Sequence, residues 1–390
     1  MDFILNPQQD TARKLAGKWW KSQMKQVFEI SGPAGSGKTS IVYELIKDIG
    51  LKPSEVLFMA YVGKAAMQLA LKGNFAKTIH STIYDLVHVP KLDDEGNILT
   101  KNGRAITRFS FMKKPNLPSN IKLLVIDEGS MVDFNIAKDV LSFGLPVLVL
   151  GDLNQLPPVF GNPYFLQKPD VILTQIMRQS ENNPIIWLSQ QALKGKKLEI
   201  GKYGDSCFII DKEDINDDLM KSSDIIICGK NETRQNINTY YRQNILGVKS
   251  KTPIYGDKIV CRQNNWKMAI DDNLYLINGL IGYIDDIYLD TYNGKSVSID
   301  FRPEFLQDKA FRKISMDFEY LFQPVTDNSM NRFNFSNKFQ FAYAISVHLS
   351  QGSQYPNVLY YRERMGSRDY QQRLDYTAIT RAVHGISIAV

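Results

Sequence analysis

A glycine-rich segment near the amino terminus has the residue types and spacing of a phosphate-binding loop. Residues 32–39 read GPAGSGKT, which fits the pattern G-x-x-x-x-G-K-[ST], between an apolar strand and a helical pattern. Glycines let backbone N–H groups wrap around phosphate oxygens, and the amino terminus of the helix adds its positive dipole end. Lys38 can reach the β and γ phosphates of a nucleotide, and the Thr39 hydroxyl can ligate Mg²⁺. The residues assigned to this loop are Gly32, Ala34, Gly35, Ser36, Gly37, Lys38, Thr39 and Ser40.

Two further apolar strands end in residues that complete this chemistry. One strand ends in Asp127 and Glu128, where Asp127 would hold Mg²⁺ and Glu128 would polarise the attacking water. Another strand leads into residues 151–158, GDLNQLPP, whose Gln155 can contact the γ-phosphate and respond to its loss. Ligands of open α/β sheets bind at the carboxyl ends of the strands, so these side chains are expected near the loop. Together with the loop, the two strands predict hydrolysis of a nucleoside triphosphate.

Alternating strand and helix patterns are expected to position these residues. The predicted strands are nearly continuous apolar runs, at 27–31, 56–60, 123–127 and 146–151. Helical patterns follow the first two of them, at 38–47 and 64–71. Apolar strands separated by helices indicate a parallel sheet covered on both faces, and hence an α/β fold.

Two segments break this pattern. Residues 87–115 contain turn signals flanked by alternating short strands, which predicts a β-hairpin inserted into the first α/β region. Residues 255–337 consist of short strands with glycine turns, which is typical of a small β-barrel. The α/β pattern resumes after this stretch, so we expect the barrel to be inserted into a second α/β domain.

Composition and charge narrow the class of protein. The chain has 390 residues, 44% hydrophobic and 23% charged, which is too apolar for a disordered chain. Its net charge of +6 permits nucleic-acid binding without requiring it. No apolar run approaches the ~18 residues of a membrane span, and the amino terminus lacks a secretory signal pattern, so we expect a cytoplasmic protein. The cysteines and histidines lack disulfide or metal-site spacing; they are Cys207, Cys228, Cys261, His80, His88, His348 and His384.

Six motifs follow one another along nearly the whole chain. They read GPAGSGKTS, VIDEGSMVD, GDLNQLPPV, LTQIMRQ, AYAISVHLSQGSQYPNV and YTAITRA. This series resembles the motifs of superfamily 1 helicases, in particular the 5′→3′ branch that contains RecD-type enzymes and the phage Dda helicase. The resemblance implies two RecA-like domains that enclose one ATP, with Mg²⁺ as cofactor.

The resemblance assigns roles to residues outside the phosphate loop. Gln9 would read the adenine edge, with Gln8 as the alternative for that role. Arg178, in LTQIMRQ, and Arg381, in YTAITRA, would stabilise charge on the γ-phosphate from the two domains, because a guanidinium is always charged and binds two oxygens at once. Gly352 would belong to the loop that the second domain contributes to ATP.

The resemblance also implies contacts with DNA that tolerate any base sequence, through stacking and phosphate binding. The residues assigned to DNA are Lys64, Thr78, His80, Phe109, Ser346, His348 and Gln351. An ordinary surface or core role is the alternative for each histidine. The chain departs from the family pattern at Tyr61 and Val62, which replace Pro-Thr, and at Leu349, which replaces a lysine and so removes one expected phosphate contact.

A domain layout follows from the same resemblance. The expected domains are RecA-like domain 1A at 1–86 and 116–182, a hairpin pin (1B) at 87–115, RecA-like domain 2A at 183–254 and 338–390, and an SH3-like barrel (2B) at 255–337. The hairpin would separate strands at a fork, and the barrel would grip DNA or contact the pin. Basic and aromatic residues interleave in the hairpin, which suits a nucleic-acid face.

The expected function is that of an ATP-dependent DNA helicase, which translocates 5′→3′ on single-stranded DNA and unwinds duplex DNA. A translocase or protein-displacing ATPase with little unwinding is one alternative. A nucleotide switch without motor action is another, although the paired arginines argue against it. We expect a monomer that binds single-stranded and forked DNA, with replication or recombination proteins as further partners and no membrane. The compact length favours a viral or mobile-element enzyme in the cytoplasm.

Overall fold

The computed structural model covers most of the chain. It describes residues 5–33, 35–71, 73–93, 95–101, 104–158, 161–175, 183–270, 274–288, 296–306, 308–322 and 337–390. Two of the predicted site residues, Ala34 and Arg178, lie outside the described residues.

The secondary structure alternates between helices and strands. The helices are α1 (Pro7–Ser22), α2 (Lys38–Asp48), α3 (Gly63–Leu71), α4 (Ile79–Ile83), α5 (Phe134–Leu141), α6 (Pro184–Leu193), α7 (Asp217–Ser222), α8 (Asn231–Tyr240), α9 (Val347–Ser350) and α10 (Arg368–Ile379). The strands are β1 (Val27–Ser31), β2 (Val56–Ala60), β3 (Ala76–Thr78), β4 (Tyr84–Pro90), β5 (Thr100–Lys101), β6 (Arg104–Ala105), β7 (Thr107–Lys113), β8 (Leu123–Asp127), β9 (Val147–Gly151), β10 (Val171–Ile172), β11 (Gly201–Tyr203), β12 (Cys207–Ile210), β13 (Ile225–Cys228), β14 (Lys258–Cys261), β15 (Asn265–Ala269), β16 (Tyr275–Leu276), β17 (Ile281–Tyr288), β18 (Ser296–Pro303), β19 (Phe311–Asp317), β20 (Phe339–Phe341), β21 (Ala344–Ser346), β22 (Tyr355–Tyr361) and β23 (Ala382–Ala389). Within the described residues, no helix is long and apolar enough to span a membrane.

The first unit is a six-stranded parallel sheet in the order β10-β1-β9-β8-β2-β3, covered by α1 to α5. Side chains of one strand alternate between two cores. Val125 of β8 packs in the core beneath α1, α2 and α3, whereas Leu124 and Ile126 pack in the core beneath α4 and α5. The predicted α/β fold with a parallel sheet is thereby confirmed, because near-continuous apolar strands need cover on both faces.

The second unit repeats this architecture. Its sheet has the order β11-β12-β23-β22-β13-β21, and only the short edge strand β11 is antiparallel to its neighbour. Helices α6 and α10 cover one face, where Leu188 and Leu374 are buried, and α7 and α8 lie on the other face. The carboxyl ends of the first sheet carry the phosphate loop and the predicted carboxylates, whereas in the second sheet Gly352 and Arg381 precede β22 and β23, at the amino ends of those strands.

Two antiparallel elements interrupt the units. In the first unit, β4 and β7 form a ribbon whose register runs from Tyr84 opposite Lys113 to Pro90 opposite Thr107, so it starts three residues before the predicted hairpin at 87–115. In the second unit, a third sheet of order β19-β18-β17-β14-β20 is inserted, together with the pair β15-β16. The third sheet has its own core, to which Met67 of α3 contributes. The first unit is therefore packed directly against the third sheet.

Candidate nucleotide site and nucleic-acid groove

The phosphate-binding loop joins β1 to α2. Gly35 and Gly37 adopt positive φ angles of 81° and 79°, which favour glycine, and Gly37 caps the amino terminus of α2. A Cβ atom at Gly32 would lie 2.7 Å from Ser36 Oγ and 2.9 Å from Leu173 Cβ, so no side chain fits there. Lys38 Nζ donates hydrogen bonds to the carbonyls of Gly32 (2.6 Å) and of the next residue (3.1 Å). The backbone of the loop is thus shaped for close approach of an anion.

Gln9, the residue predicted to read adenine, is buried behind this loop. Its Oε1 accepts a hydrogen bond from Asn6 N (2.9 Å), which completes a capping box on α1, and its Nε2 donates to Ser36 O (2.9 Å). The Gln8 amide is bonded to the backbone and hydroxyl of Thr174. The adenine contact stays a prediction for either residue. Through the hydrogen bond from its Nε2, Gln9 holds the Ser36 carbonyl in place.

The two predicted carboxylates follow β8 at the same edge of the sheet. Glu128 has a φ of 54°, in the left-handed region, and its backbone N–H donates to Asp127 Oδ1 at 2.9 Å. Burial and the neighbouring Asp127 carboxylate raise the pKa of Glu128 to about 7, although the positive charges of Arg381 and Lys38 act in the opposite direction. Glu128 is therefore within electrostatic reach of the loop lysine and of an arginine from the second unit.

Arg381 reaches the cleft from the end of α10. It is buried, and its guanidinium donates to the carbonyls of Thr377 (2.9 Å) and Ser353 (3.0 Å) and to the Thr380 hydroxyl (3.1 Å). Burial lowers the pKa of Arg381, and the Glu128 carboxylate opposes that shift. These backbone contacts fix the guanidinium in position without neutralising it.

The loop after β9 is bonded to the second unit. The Tyr376 hydroxyl donates to Asp152 Oδ2 (2.7 Å), and Leu156 N donates to Thr377 Oγ1 (3.0 Å). Gln351 Nε2 donates to Leu156 O (3.2 Å), so this predicted DNA residue lies buried between the two units. We call residues 151–158 the sensor loop, because Gln155 belongs to it. The sensor loop and α10 therefore form one hydrogen-bonded contact across the cleft.

Several buried polar atoms lie on the loops that face this cleft. Buried polar groups in proteins are hydrogen-bonded as a rule. Within the described part of the chain, those without a hydrogen-bond partner include Ser36 Oγ, Gln155 Oε1, Gln351 Oε1 and Ser353 Oγ. Gly352, between the last two, has a φ of 71°, and a Cβ there would lie 3.3 Å from Ala65 and Val62 of the first unit. The cleft is thus narrow, polar and suited to a ligand with many hydrogen-bonding groups.

A cavity of about 580 Å³ lies between the first unit, the ribbon and residues at the β15-β16 pair beside the third sheet. His80 is at its centre: its ring centroid is 6.0 Å from that of Tyr61, 5.8 Å from Tyr84 and 5.6 Å from Phe111. Burial lowers the pKa of His80, which favours a neutral ring. Aromatic rings grouped in an open cavity provide stacking surfaces for unpaired bases. We call this cavity the aromatic groove.

Family comparisons agree with the motif order. A family model described as an AAA domain matches residues 20–161, and one described as a UvrD-like helicase C-terminal domain matches residues 341–388. Each match falls on one of the two parallel-sheet units. The resemblance to superfamily 1 helicases of the RecD type is confirmed.

Individual relatives and solved structures give the same result. The ATP-dependent RecD2 DNA helicase of Deinococcus radiodurans is 31% identical over 178 residues, which are 43% of this chain and 22% of that protein. The first two curated relatives are spanned only to 36% and 22% of their length. The superposition on a structure of Pif1 helicases at forked double-stranded DNA (18% identity, TM-score 0.58) covers 100% of this chain and 92% of the Pif1 chain. The superposition on Bacteroides Pif1 bound to single-stranded DNA (17% identity, TM-score 0.57) covers 100% of this chain and 93% of that Pif1 chain. These likenesses support the fold.

The remaining predicted DNA residues have varied surroundings. Lys64 Nζ lies 3.4 Å from the Tyr355 hydroxyl and 5.0 Å from its ring centroid, so it bridges to the second unit. Thr78 caps α4 and lines the aromatic groove, and Ser346 caps α9. His348 Nε2 is 3.1 Å from the Tyr370 hydroxyl, and burial lowers its pKa. Phe109 lies on β7, and its side chain is outside the described part of the structure.

Sequence reasoning missed part of the aromatic groove. Tyr84 lines it but was not assigned, and Tyr61 was noted only as a departure from the family pattern. Asn264, Tyr275 and Asn278 close the groove from the side of the third sheet. The spacing of four between His80 and Tyr84 was a usable signal, but the residues of the third sheet lie too far along the chain for any local pattern to identify them.

Proposed function

We propose that the chain is an ATP-dependent DNA helicase, which hydrolyses Mg-ATP between its two α/β units, moves 5′→3′ along single-stranded DNA and unwinds duplex DNA. The observation that carries the proposal is that the positive charges of Lys38, from the first unit, and Arg381, from the second, both act on Glu128, because a charge clamp from two units links nucleotide turnover to relative motion of those units. The polarity derives from the motif resemblance alone. The proposed RecA-like domains are 1–86 with 116–182, and 183–254 with 338–390.

The proposed chemistry assigns one role to each cleft residue. Lys38 and the loop amides bind the phosphates, and Gln155 contacts the γ-phosphate. Glu128 orients the attacking water and can accept its proton, since a carboxyl with a pKa near neutrality exchanges protons readily at physiological pH. Arg381 stabilises the charge that develops on the transferred phosphate, and Arg178 is proposed to assist it.

Magnesium fits the donor set at this edge of the sheet. Thr39, in the first turn of α2, offers a hydroxyl oxygen, and Asp127 at the end of β8 offers a carboxylate. Mg²⁺ prefers such oxygen ligands and keeps several waters, so two protein ligands and the phosphates suffice. When bound, the ion neutralises phosphate charge.

The aromatic groove is proposed to hold the single strand. Stacking on His80, Tyr84 and Phe111 tolerates any base sequence, which a translocating enzyme requires. The Pif1 structures bound to single-stranded and forked DNA have the same overall fold, which supports DNA as the partner. Beyond the groove, the ribbon is proposed to act as the strand-separating pin, and the third sheet as part of an SH3-like barrel at 255–337.

The test is unwinding of a forked duplex with one single-stranded tail, 5′ or 3′, in the presence of ATP and Mg²⁺. Strand release from the 5′-tailed substrate alone supports the proposal, and release from the 3′-tailed substrate alone contradicts the polarity. Lys38→Ala should abolish turnover but retain DNA binding, whereas Glu128→Gln should retain ATP binding and lose turnover. Normal turnover in Lys38→Ala would show that the nucleotide site is elsewhere.

A translocase with little unwinding is the second candidate function. Shortening the β4-β7 ribbon distinguishes it from a helicase. Pro90 and Thr107 pair across β4 and β7, so residues 91–106 can be replaced by a two-residue Asn-Gly turn. The shortened ribbon retains Tyr84 and Phe111 in the groove. If the distal ribbon is the pin, this variant keeps DNA-stimulated ATPase and loses unwinding. Equal unwinding by the wild type and the shortened variant would show that another element separates the strands.

A further inference from the structure

Two arginines meet between the second unit and the third sheet without a carboxylate partner. Arg234, on α8, is 3% exposed, and Arg262 follows β14 and is half-buried. Among the described residues, no salt bridge joins either guanidinium to an acidic side chain. Burial, and then the positive charge of Arg262, lower the pKa of Arg234 to about 10. The pKa of Arg262 is also lowered, by burial. The protein thus holds two cations close together in a poorly solvated place.

Three buried nitrogen donors in this region lack an acceptor. They are Arg234 Nη2, Arg262 Nε and Gln235 Nε2, and none has a hydrogen-bond partner within the described part of the chain. A buried charge without a partner destabilises a folded protein, and a buried guanidinium can avoid that cost by pairing with a carboxylate. Arg242, for example, is 1% exposed and bonds Asp257 at 3.0 Å. The unsatisfied pair therefore has the composition of an anion site.

The position of this pair relates it to the proposed path of the strand. Arg234 lies one turn before Asn238 on α8, and the Asn238 amide bonds the backbone of Ala344, two residues before Ser346, a residue predicted to contact DNA. On the other side, Arg262 is two residues before Asn264, which lines the aromatic groove. The pair therefore lies between the groove and the carboxyl edge of the second sheet. A guanidinium binds two oxygens of a phosphate at once, which matches the geometry of both side chains.

We propose that Arg234 and Arg262 form a phosphate-binding site, whose ligand is a phosphodiester of the strand that leaves the aromatic groove toward the second unit. This inference rests on the proposed function for the identity of the strand, but the anion chemistry does not depend on it. Arg262 forms the accessible side of the site, and Arg234 the buried side. Binding of the phosphate supplies the negative charge that the free protein lacks here.

The test compares Arg262→Met with the control Arg302→Met in the 390-residue chain. Arg302 also lies on the third sheet, but both its contacts to Asp285 are 2.9 Å, so its charge is paired. Arg262→Met should raise the thermal midpoint of the free protein, because it removes an unpaired charge, while lowering affinity for oligo-dT about tenfold or more. The slope of log K against log salt should fall by ~0.7, the value for one phosphate contact on a single strand. Arg302→Met should lower the midpoint and leave the slope unchanged.

The outcomes distinguish an error in the proposed DNA ligand from an error in the proposed anion site. Unchanged affinity and slope in Arg262→Met, with the wild type binding oligo-dT normally, would overturn the proposal, as would equal slope changes in both variants. If the wild type fails to bind oligo-dT, the proposed function is wrong. Thermal stabilisation by pyrophosphate then tests whether the two arginines bind an anion. Thermal stabilisation of the wild type by pyrophosphate, but not of Arg262→Met, would show a site for a free phosphate ligand. No stabilisation of either protein would reject the anion site altogether.

Discussion

The contact between the sensor loop and α10 can be tested by removing a single hydroxyl. The Tyr376 hydroxyl donates to Asp152 Oδ2 at 2.7 Å, and the two residues are 0% and 1% exposed. Tyr376→Phe deletes the donor and keeps the ring, so the packing around α10 is preserved. A hydrogen bond to a charged group contributes ~1.5–3 kcal/mol, and the Asp152 carboxylate stays buried after its loss. We therefore expect the contact between the two units to be ~1.5–3 kcal/mol weaker in the variant.

This loss should affect catalysis as well as stability. Helix α10 carries Tyr376 and is followed two residues after its end by Arg381, so weakening its contact with the sensor loop weakens the closed cleft in which we propose that ATP is hydrolysed. If the whole of the contact energy is used in closure, kcat/KM for ATP falls by ~10- to 100-fold, since each 1.4 kcal/mol is a factor of ten. Tyr360→Phe is the matched control: its hydroxyl donates to Asp375 Oδ1 at 2.8 Å, and both residues are buried in the second unit.

The assay combines DNA-stimulated ATPase kinetics with denaturant unfolding of both variants. We expect similar losses of unfolding free energy, but a loss of kcat/KM only in Tyr376→Phe. A double-mutant cycle with Asp152→Asn should show that the effects of the two substitutions are not additive. Equal losses of kcat/KM in Tyr376→Phe and Tyr360→Phe would refute the reasoning, because the catalytic effect would then follow stability rather than the contact between units.

Three further substitutions test the groove, its packing against α3, and the stability of α1. Phe111→Ala should weaken single-strand binding by ~1–3 kcal/mol through lost stacking, whereas Met112→Ala, equally exposed at 55% but outside the groove lining, should not; equal effects would contradict the stacking role. Gly63→Ala should reduce stability by ~1–3 kcal/mol and weaken DNA binding, because its Cβ would lie 2.9 Å from Ile277 Cβ on the third-sheet side of the groove; wild-type melting would contradict this. Gly17→Ala, in the middle of α1 with no atom closer than 4.0 Å to the new Cβ, should stabilise the protein by ~1 kcal/mol in thermal unfolding, and a lower midpoint would show an unseen clash.

The central strands could be predicted from the sequence because their signal is local. The runs at 27–31, 56–60 and 123–127 match β1, β2 and β8 in the structure, and the run at 146–151 is one residue longer than β9. A strand buried on both faces must be apolar throughout, so its ends coincide with the ends of the run. The carboxylates and the phosphate loop follow those strands directly, which is why they could be placed at one edge of the sheet.

Contacts between distant parts of the chain could not be predicted in the same way. The contact of Lys64 Nζ with the Tyr355 ring of the second unit was not predicted, and the phosphate role of Lys64 stays a prediction. Gln351 was assigned to DNA, and it bonds Leu156 between the units. No role could be predicted for Arg262, because the sequence does not show which residues surround an arginine side chain. In each case the neighbours that the structure reveals are far away in sequence.

Helix α3 connects the nucleotide cleft with the aromatic groove. Gly63, at its start, abuts Ile277 of the groove, Met67 is buried in the core of the third sheet, and Ala65 faces Gly352 of the second unit. A helix in contact with all three neighbours cannot remain fixed relative to each of them when the cleft closes, because packed interfaces shift between discrete arrangements rather than deform continuously. In the proposed mechanism, closure against Gly352 would displace α3 relative to the third sheet or move the third sheet with it. Because Gly63 and Met67 of α3 line the groove, we expect such a displacement to change the width of the groove and so to link ATP with the bound strand.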